Sequence, residues 1–519
     1  YNGTSYSQYN AMDWETIKMV ADGQISPFHE LQTDGTHKFF YKTNWWDELF
    51  RKNQLSNFHN VSVSGGTEKL SAYFSGRVYD RQSINNINKD AGIERQNFKS
   101  NIVFRPYDWL ELSANTQFIN ERDKDYGGFS NGFGGLWSTT TWYNLMAFYP
   151  VSIDGIPVDI GTGNGGQGGN AGLYAGNTSR VFTTEEFTNT FRAVAKPVKG
   201  LVLNFDYSNR IDNTGRTLRL NPFEYLKGNK LNYTVEGLNR LTEYRWKDKY
   251  NALNAFATYN LSLDSKHNFK LLAGFNQEQF NRDRLEVTAD DLLLENLSNL
   301  ALATTMNNIS GSAMDWAVRG FFGRFNYDYN NKYLLELNGR YDGSSRFPKD
   351  SRWGFFPSLS VGWQIDRENF WENVRPYVSS FKLRTSYGKL GNQTVDVNTF
   401  KELMNVSRSN DWLNQGNPLT IAQMPSPLPS VVTWETTRSL NFGADIGLLN
   451  NKLFLNLDIY RKNVEGMYLP GEPLPAVFGA SEPKENYAGL RNEGYELNIS
   501  YQNNFDVLSS PLKFRVSAN

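Results

Sequence analysis

Catalysis needs a few reactive side chains at fixed spacing, and this chain offers few candidates. Its four histidines, His29, His37, His59 and His267, are scattered and lack the spacing of a metal-ligand set. Cysteine is absent, which removes thiol catalysis, thiolate metal sites and a disulfide framework. The tightest carboxylate group is Asp290-Asp291 with Glu295. It has the oxygen ligands that Ca2+ takes, and it suits a solvated acidic loop equally. The run Gly161 to Gly172 is nearly all Gly, Asn, Gln and Thr, but no Gly-Lys-Ser/Thr follows, so it is not a phosphate loop. Carboxylate pairs for glycoside hydrolysis can be assembled on any fold, so sequence does not exclude them. The expectation is a non-enzyme with no catalytic residues, no metal and no cofactor.

Binding has better candidates. The stretch from Tyr126-Gly127-Gly128-Phe129 through Trp137, Trp142, Tyr143 and Phe148 is aromatic and rich in glycine, and Trp412 sits in a second polar stretch, 410–415. Flat rings stack on sugars or peptide side chains, and glycine lets a loop close over a ligand. The same rings could instead pack loops against each other or against a partner protein.

The elements that would hold these loops are strands. From residue 56 the chain reads as a series of hairpins whose connections alternate in length. Tight turns are Gly65-Gly66-Thr67-Glu68, Pro106-Tyr107-Asp108, Lys196 to Gly200, Asp264-Ser265-Lys266, Asn330-Asn331 and Asn450-Asn451. Long connections are 81–94, 121–183, 210–242, 288–314, 390–431 and 464–489. A short-long meander is what an up-and-down barrel produces when it crosses a membrane, with short turns in the periplasm and long loops outside. One connection on the short side, 366–379, is longer. There Glu368, Phe370, Trp371 and Val374 predict an amphipathic helical turn packed beneath the wall.

The strands alternate as such a wall requires. Tyr333, Leu335, Leu337 and Tyr341 share one face, and Leu334, Glu336, Asn338, Arg340 and Asp342 the other. Leu455 and Leu457 likewise oppose Asn456 and Asp458. The apolar face is predicted to meet lipid and the polar face a wet lumen. Tyr333 and Tyr341, about 26 Å apart along the strand, fit the two aromatic girdles of a membrane barrel. A soluble antiparallel sheet gives the same alternation, and the loop asymmetry argues for the membrane.

Composition agrees. Of 519 residues, 39% are hydrophobic and 15% aromatic. The mean hydropathy is −0.57, and no apolar run is long enough for a membrane helix. A barrel needs none, because half of each strand faces water. The 53 basic and 54 acidic residues are spread along the chain, giving a net charge of −1 and no basic patch for nucleic acid. About 16 segments are long enough to cross a bilayer.

Several motifs carry a resemblance. They are Asn44-Trp45-Trp46-Asp47-Glu48-Leu49-Phe50-Arg51 with Val61 to Lys69, and Arg340-Tyr341-Asp342-Gly343-Ser344-Ser345-Arg346-Phe347 with Arg352 to Ser358. Lys382-Leu383-Arg384, Ser386-Tyr387-Gly388, Gly391-Asn392-Gln393, Thr433 to Thr437 and Gly489 to Leu497 continue the series. In this order they resemble the barrel of SusC-like TonB-dependent outer-membrane transporters (the RagA/SusC family) across nearly the whole chain. The resemblance implies an all-β, antiparallel up-and-down transmembrane barrel of 22 strands around an N-terminal plug. Residues 1–519 are then a partial barrel. The plug, roughly the first strand and about five C-terminal strands would lie outside it. The resemblance further implies the outer membrane of a Gram-negative bacterium, a SusD-like surface lipoprotein as lid, and coupling to TonB through the absent N-terminal region. It implies contact with outer-membrane lipid, and lid-bearing pairs that can dimerise. Nutrient import, of oligosaccharide or peptide, is the function it implies. Within it, Asp342, Gly343, Ser344, Ser345 and Arg346 form a signature hairpin, which reads from its residues as turn-forming and architectural. Alternatives from other classes are a passive porin, a barrel adapted to assembly or secretion, and a soluble aromatic-rich enzyme acting on glycans.

Overall fold

The computed structural model describes residues 14–519 apart from 85, 87–89, 126–148, 160–178, 229, 237, 295–296, 405, 415–416, 423–424, 426, 430, 476, 478–481 and 508–509. Sixteen strands form one sheet. They are β1 (Ser56–Gly66), β2 (Leu70–Gln82), β3 (Gly92–Tyr107), β4 (Leu110–Asp125), β5 (Ser179–Ala195), β6 (Leu201–Leu220), β7 (Arg240–Leu263) and β8 (His267–Leu292). Then follow β9 (Ala303–Tyr329), β10 (Tyr333–Ser344), β11 (Trp353–Gln364), β12 (Val378–Asn392), β13 (Glu435–Leu448), β14 (Leu453–Pro470), β15 (Lys484–Val507) and β16 (Ser510–Ala518). Each strand lies beside its sequence neighbours, and every pair is antiparallel. The up-and-down meander expected from the loop pattern is present.

The tight turns are made by residues that tolerate a left-handed backbone. Asn330 and Asn331 take φ 50 and 53, and Lys332 N closes on Tyr329 O at 2.8 Å. Positive φ at both central residues is the type I′ geometry, whose twist matches that of the strands it joins.

The two faces of the wall differ as the alternation predicts. Tyr333, Leu335, Leu337 and Tyr341 pair across β10–β11 with Trp363, Val361, Leu359 and Phe355. Across β13–β14, Phe442 sits beside Ile459, and the two are 54% and 55% exposed. This apolar face is uncovered by any second sheet among the described residues, which rules out the soluble-core reading; a band of such extent needs lipid. Two aromatic clusters bound it. Tyr333 stacks with Tyr329 and Trp363 at one end. Tyr341 stacks on Trp353 at the other, with ring centroids 4.9 Å apart. The opposite face is hydrogen-bonded: Asn326 to Glu336 and Arg324 to Asn338, both at 2.6 Å.

Three of the long connections are shorter than the sequence suggests. The strands β7, β8 and β9 run for 24, 26 and 27 residues, where about 9–11 cross a bilayer. Their short-turn ends are level, so the excess stands outside the membrane. The stretch 288–314 shrinks to a connection at 293–302, and 464–489 to 471–483. Within 210–242, β6 reaches Leu220, and a further hairpin, Phe223–Lys227 with Asn232–Glu236, fills much of the rest. Beyond the bilayer both faces are wet, so apolar-polar alternation fades and the sequence reads as loop. Cross-strand ion pairs hold these parts instead: Arg282 clasps Asp248 and Arg240 clasps Asp290. By contrast β10 and β11 have 12 residues each, so the wall is tall on one side and low on the other.

Candidate functional site

The lumenal face carries a cavity of about 1200 Å³ near the short turns. Lys270, Asn326, Glu336, Ser360, Lys382 and Arg384 are among its lining residues, all from the polar face of successive strands. Its charge is organised around Arg384 of β12. Nη1 and Nη2 meet Asp458 Oδ1 and Oδ2 at 2.7 and 2.6 Å, while Nε lies 3.3 Å from both oxygens of Asp445. Asp458 is on β14, so the side chain must cross the intervening strand. It does so over Gly443, its register partner on β13. A Cβ at Gly443 would stand 2.5 Å from the Arg384 Cζ. The glycine therefore leaves the passage through which the bidentate pair forms, one of the uses of glycine inside a strand. Asn456 Nδ2 adds a bond to Asp445 Oδ1 at 3.0 Å. This network was hidden in the sequence. The lumenal placement of Asp458 was readable, but its partner was not, because the contact skips a strand.

At the outer rim the signature hairpin packs rather than projects. Arg340 holds Asp342 through two bonds, of 2.8 and 3.0 Å. Gly343 lies under the Trp353 indole, where a Cβ would come within 2.7 Å of the ring. Ser344 is fully buried and its Oγ accepts from Arg346 N at 3.3 Å. Ser345 N donates to Ala317 O, and its Oγ accepts from Ala317 N, each at 2.9 Å. Arg346 donates to Val395 O, and its guanidinium lies over the Trp316 ring at 5.4 Å. Burial holds the pKa of Arg346 below its ordinary value. Next to it Phe347, Phe356, Val395, Val432 and Trp434 form a buried cluster. Trp434 Nε1 donates to Arg352 O at 3.0 Å, and Ser351 Oγ to Val432 O at 2.7 Å. Motifs far apart in sequence thus meet in one knot, which ties the connections after β10 and β12 together.

A second outer body is built from the N-terminal segment and the connections after β4 and β6. Phe39, Tyr149 and Val158 form its core, with Tyr41, Trp45, Ile153, Leu226 and Leu231 packed against it. The hairpin Phe28–Leu31 with His37–Phe40 is joined to the connection after β4 by Thr43 Oγ1 to Tyr149 O at 2.6 Å. Two short strands from different connections pair in parallel, Leu226 with Val158 and Lys227 with Asp159. This assembly was not legible in the sequence, because its pieces are short and pair only across connections far apart in the chain.

Of the predicted binding aromatics, Trp137, Trp142 and Tyr143 lie outside the described residues, as does the run Gly161 to Gly172. Trp412 is on the strand Val406–Asn414, which pairs with Asn417–Ala422 beyond β12. In the acidic cluster, Asp290 accepts from Arg240 at 2.7 and 2.9 Å, and also from Asn307. Asp291 accepts from Thr305 at 3.1 Å, and Glu295 lies outside the described residues. The Asp290 charge is thereby balanced within the wall.

The family model described as TonB dependent receptor-like, beta-barrel, matches residues 152–519. A TonB-dependent receptor of Formosa agariphila is 29% identical over 469 residues, covering 89% of this chain and 44% of that protein. The TonB-dependent receptor SusC of Bacteroides thetaiotaomicron is 27% identical over 482 residues, 88% of this chain and 46% of that one. Among solved structures, the RagAB peptide importer in its open-open state matches with TM-score 0.73 at 20% identity, covering 98% of this chain and 54% of that chain. The chain spans about half the length of the curated relatives it matches.

Proposed function

Because the chain belongs to the TonB dependent receptor-like β-barrel family of the Gram-negative outer membrane, we propose that its protein is a SusC-like importer of a nutrient, oligosaccharide or peptide. In this reading a SusD-like lipoprotein closes the outer mouth, a plug fills the lumen, and pulling through TonB opens a path. The observation that carries the reading is the wall itself. It has an apolar outer face between aromatic girdles, a charged and hydrogen-bonded lumenal face, and an ordered outer rim. A lumen wide enough for a nutrient leaks unless it is plugged and gated, and moving a gate takes work. Likeness to SusC and to RagAB, the latter described as a peptide importer, supports a two-component complex.

Uptake by the intact protein should stop when the proton gradient is collapsed or TonB is removed, while ligand binding at the surface persists. Unchanged uptake in de-energised cells would point to a passive porin. In the outer loops, Trp137, Trp142, Tyr143 and Trp412 are the proposed contacts to ligand or lid. Each alanine variant should lose roughly 0.5–1.5 kcal/mol of stacking beyond area burial, with barrel assembly unchanged. Four variants that import and hold the lid like wild type would remove the loops from this role.

A further inference from the structure

The connection 365–377 between β11 and β12 does not tuck beneath the wall as the sequence suggests. It forms two 3-10 turns, Ile365–Arg367 and Asn369–Trp371, and two contacts fix it to the lipid side of the rim. The first is Glu368. Its carboxylate accepts from Tyr333 Oη at 2.7 Å and Trp363 Nε1 at 3.2 Å, both girdle residues of the outer face, and from Lys332 Nζ at 3.1 Å. The second is Trp371, whose ring lies 5.4 Å from that of Phe381. Phe381 pairs with Ile446 on the same outer face.

Two further polar groups are engaged within the segment and its neighbouring strand. Asp366 Oδ1 accepts from Phe381 N at 3.0 Å, and Arg375 Nη2 donates to Asp366 O at 2.8 Å. What is left outside includes three apolar side chains, beside exposed polar ones such as Glu372 and Asn373. Phe370 is 64% exposed, Tyr377 77% and Val374 36%. Their spacing of four and three residues places them on one side of a helical path. The turns Arg375 N to Trp371 O and Val378 N to Val374 O, both 2.9 Å, keep that path. An isolated exposed ring is ordinary, but three apolar residues aligned beside an aromatic girdle have a partner at hand. The turns on this side supply charge to match: Lys452 lies in the adjacent tight turn between β13 and β14, and Lys266 in the turn between β7 and β8. Amines at this level meet the phosphates of a bilayer's headgroup layer, and aromatic side chains settle there.

We propose that 365–377 is an interfacial foot, which seats Phe370, Val374 and Tyr377 in the phospholipid headgroup layer of the periplasmic leaflet. It rests on the membrane-spanning reading of the wall, and the foot would hold the low side of that wall at a fixed depth. Glu368 and Trp371 are the positioning residues, tying the foot to the girdle.

Residues 1–519 contain no cysteine; in the intact protein, with any cysteine outside them replaced, spin labels are placed at single sites in phosphatidylethanolamine–phosphatidylglycerol vesicles. Labels are introduced by Phe370→Cys and Tyr377→Cys, with Leu457→Cys as the lipid-facing reference and Glu372→Cys as the aqueous one. At 370 and 377, accessibility to oxygen should exceed accessibility to a water-soluble nickel chelate, as at 457, with the order reversed at 372. The foot is refuted if 370 and 377 behave like 372 while 457 still reports lipid. It is also refuted if they are protected only in native envelopes, which would mean a protein partner. A label at 457 that reports water would overturn the membrane-spanning reading and the foot with it. Phe370 and Tyr377 are both largely exposed, so neither substitution removes core packing.

Discussion

Replacing Leu457 by arginine tests the wall where it is most demanding. Leu457 pairs with Ala444 on one side and Leu497 on the other, on the apolar face of β14. Its depth follows from the strand. At about 3.3 Å per residue and a tilt near 40°, the path from Lys452 in the tight turn to Leu457 rises about 13 Å, close to the middle of an apolar band about 25 Å tall. An arginine there costs roughly 2–4 kcal/mol, or roughly 30- to 900-fold in the folding equilibrium. Its neighbour Asn456 points the other way and bonds Asp445 Oδ1 at 3.0 Å. Asn456→Arg puts the cation in a wet lumen beside Asp445, so its cost should be about 0–1 kcal/mol. Reversible urea unfolding of the intact protein in vesicles, read by heat-modifiable gel mobility, measures both variants. Equal losses would refute the face assignment, and with it the lipid-facing role of every residue in register with Leu457.

Phe347→Ala should cost about 3–5 kcal/mol within the outer knot and expose 393–434 to protease, with barrel mobility unchanged; undiminished protection would show that the knot is not a packing unit. Gly443→Ala should destabilise by about 1 kcal/mol by driving Arg384 off Asp458. In an Arg384→Ala background the same substitution should be close to neutral, and a full additive loss would disprove the passage over Gly443. Hydrogen bonds from Tyr333, Lys332 and Trp363 hold the pKa of Glu368 below the ordinary carboxylate value. Its clamp therefore stabilises the fold fully above that ordinary value and is lost as pH falls through the depressed one. The amide protection factor across 368–381, exchange corrected for its intrinsic pH dependence, should fall only in acid and should be pH-independent in Glu368→Gln; an acid-insensitive protection factor in the unaltered protein would contradict the clamp.

What the sequence revealed was set by solvent. Where a strand has lipid on one side and water on the other, period-two alternation is forced, and Tyr333 to Tyr341 could be assigned residue by residue. Above the bilayer that force ends. Arg210 to Leu220 falls in a stretch that reads as a long loop, yet it is strand throughout, held by partners such as Glu243, which accepts from Thr217 across 26 positions. Thr43 reaches Tyr149 across 106 positions. No local pattern encodes such contacts, because each segment's burial depends on the others being in place. The 365–377 segment failed for a related reason. Its apolar spacing was readable, but whether those residues meet protein or membrane depends on which side of the rim Glu368 and Trp371 choose.

The clearest motif in the chain packs as part of the rim, which sets it apart from the surface proposed for ligand. Asp342 to Phe347 stand out in sequence because burial under Trp353 and against Trp316 and Trp434 leaves each position little freedom. A ligand surface has the opposite requirement. It must change when the ligand changes, so it belongs on connections whose own packing constrains them least. The knot makes this workable. It fixes where the connections after β10 and β12 leave the wall, so that the residues beyond it can vary without moving the rim. If the outer loops hold the ligand as proposed, substrate choice can then be rewritten in a stretch such as 410–415, beyond β12, while the hairpin stays the same. It follows that grafting such a stretch between two such barrels should transfer binding preference, whereas exchanging 340–358 should alter stability and leave preference where it was.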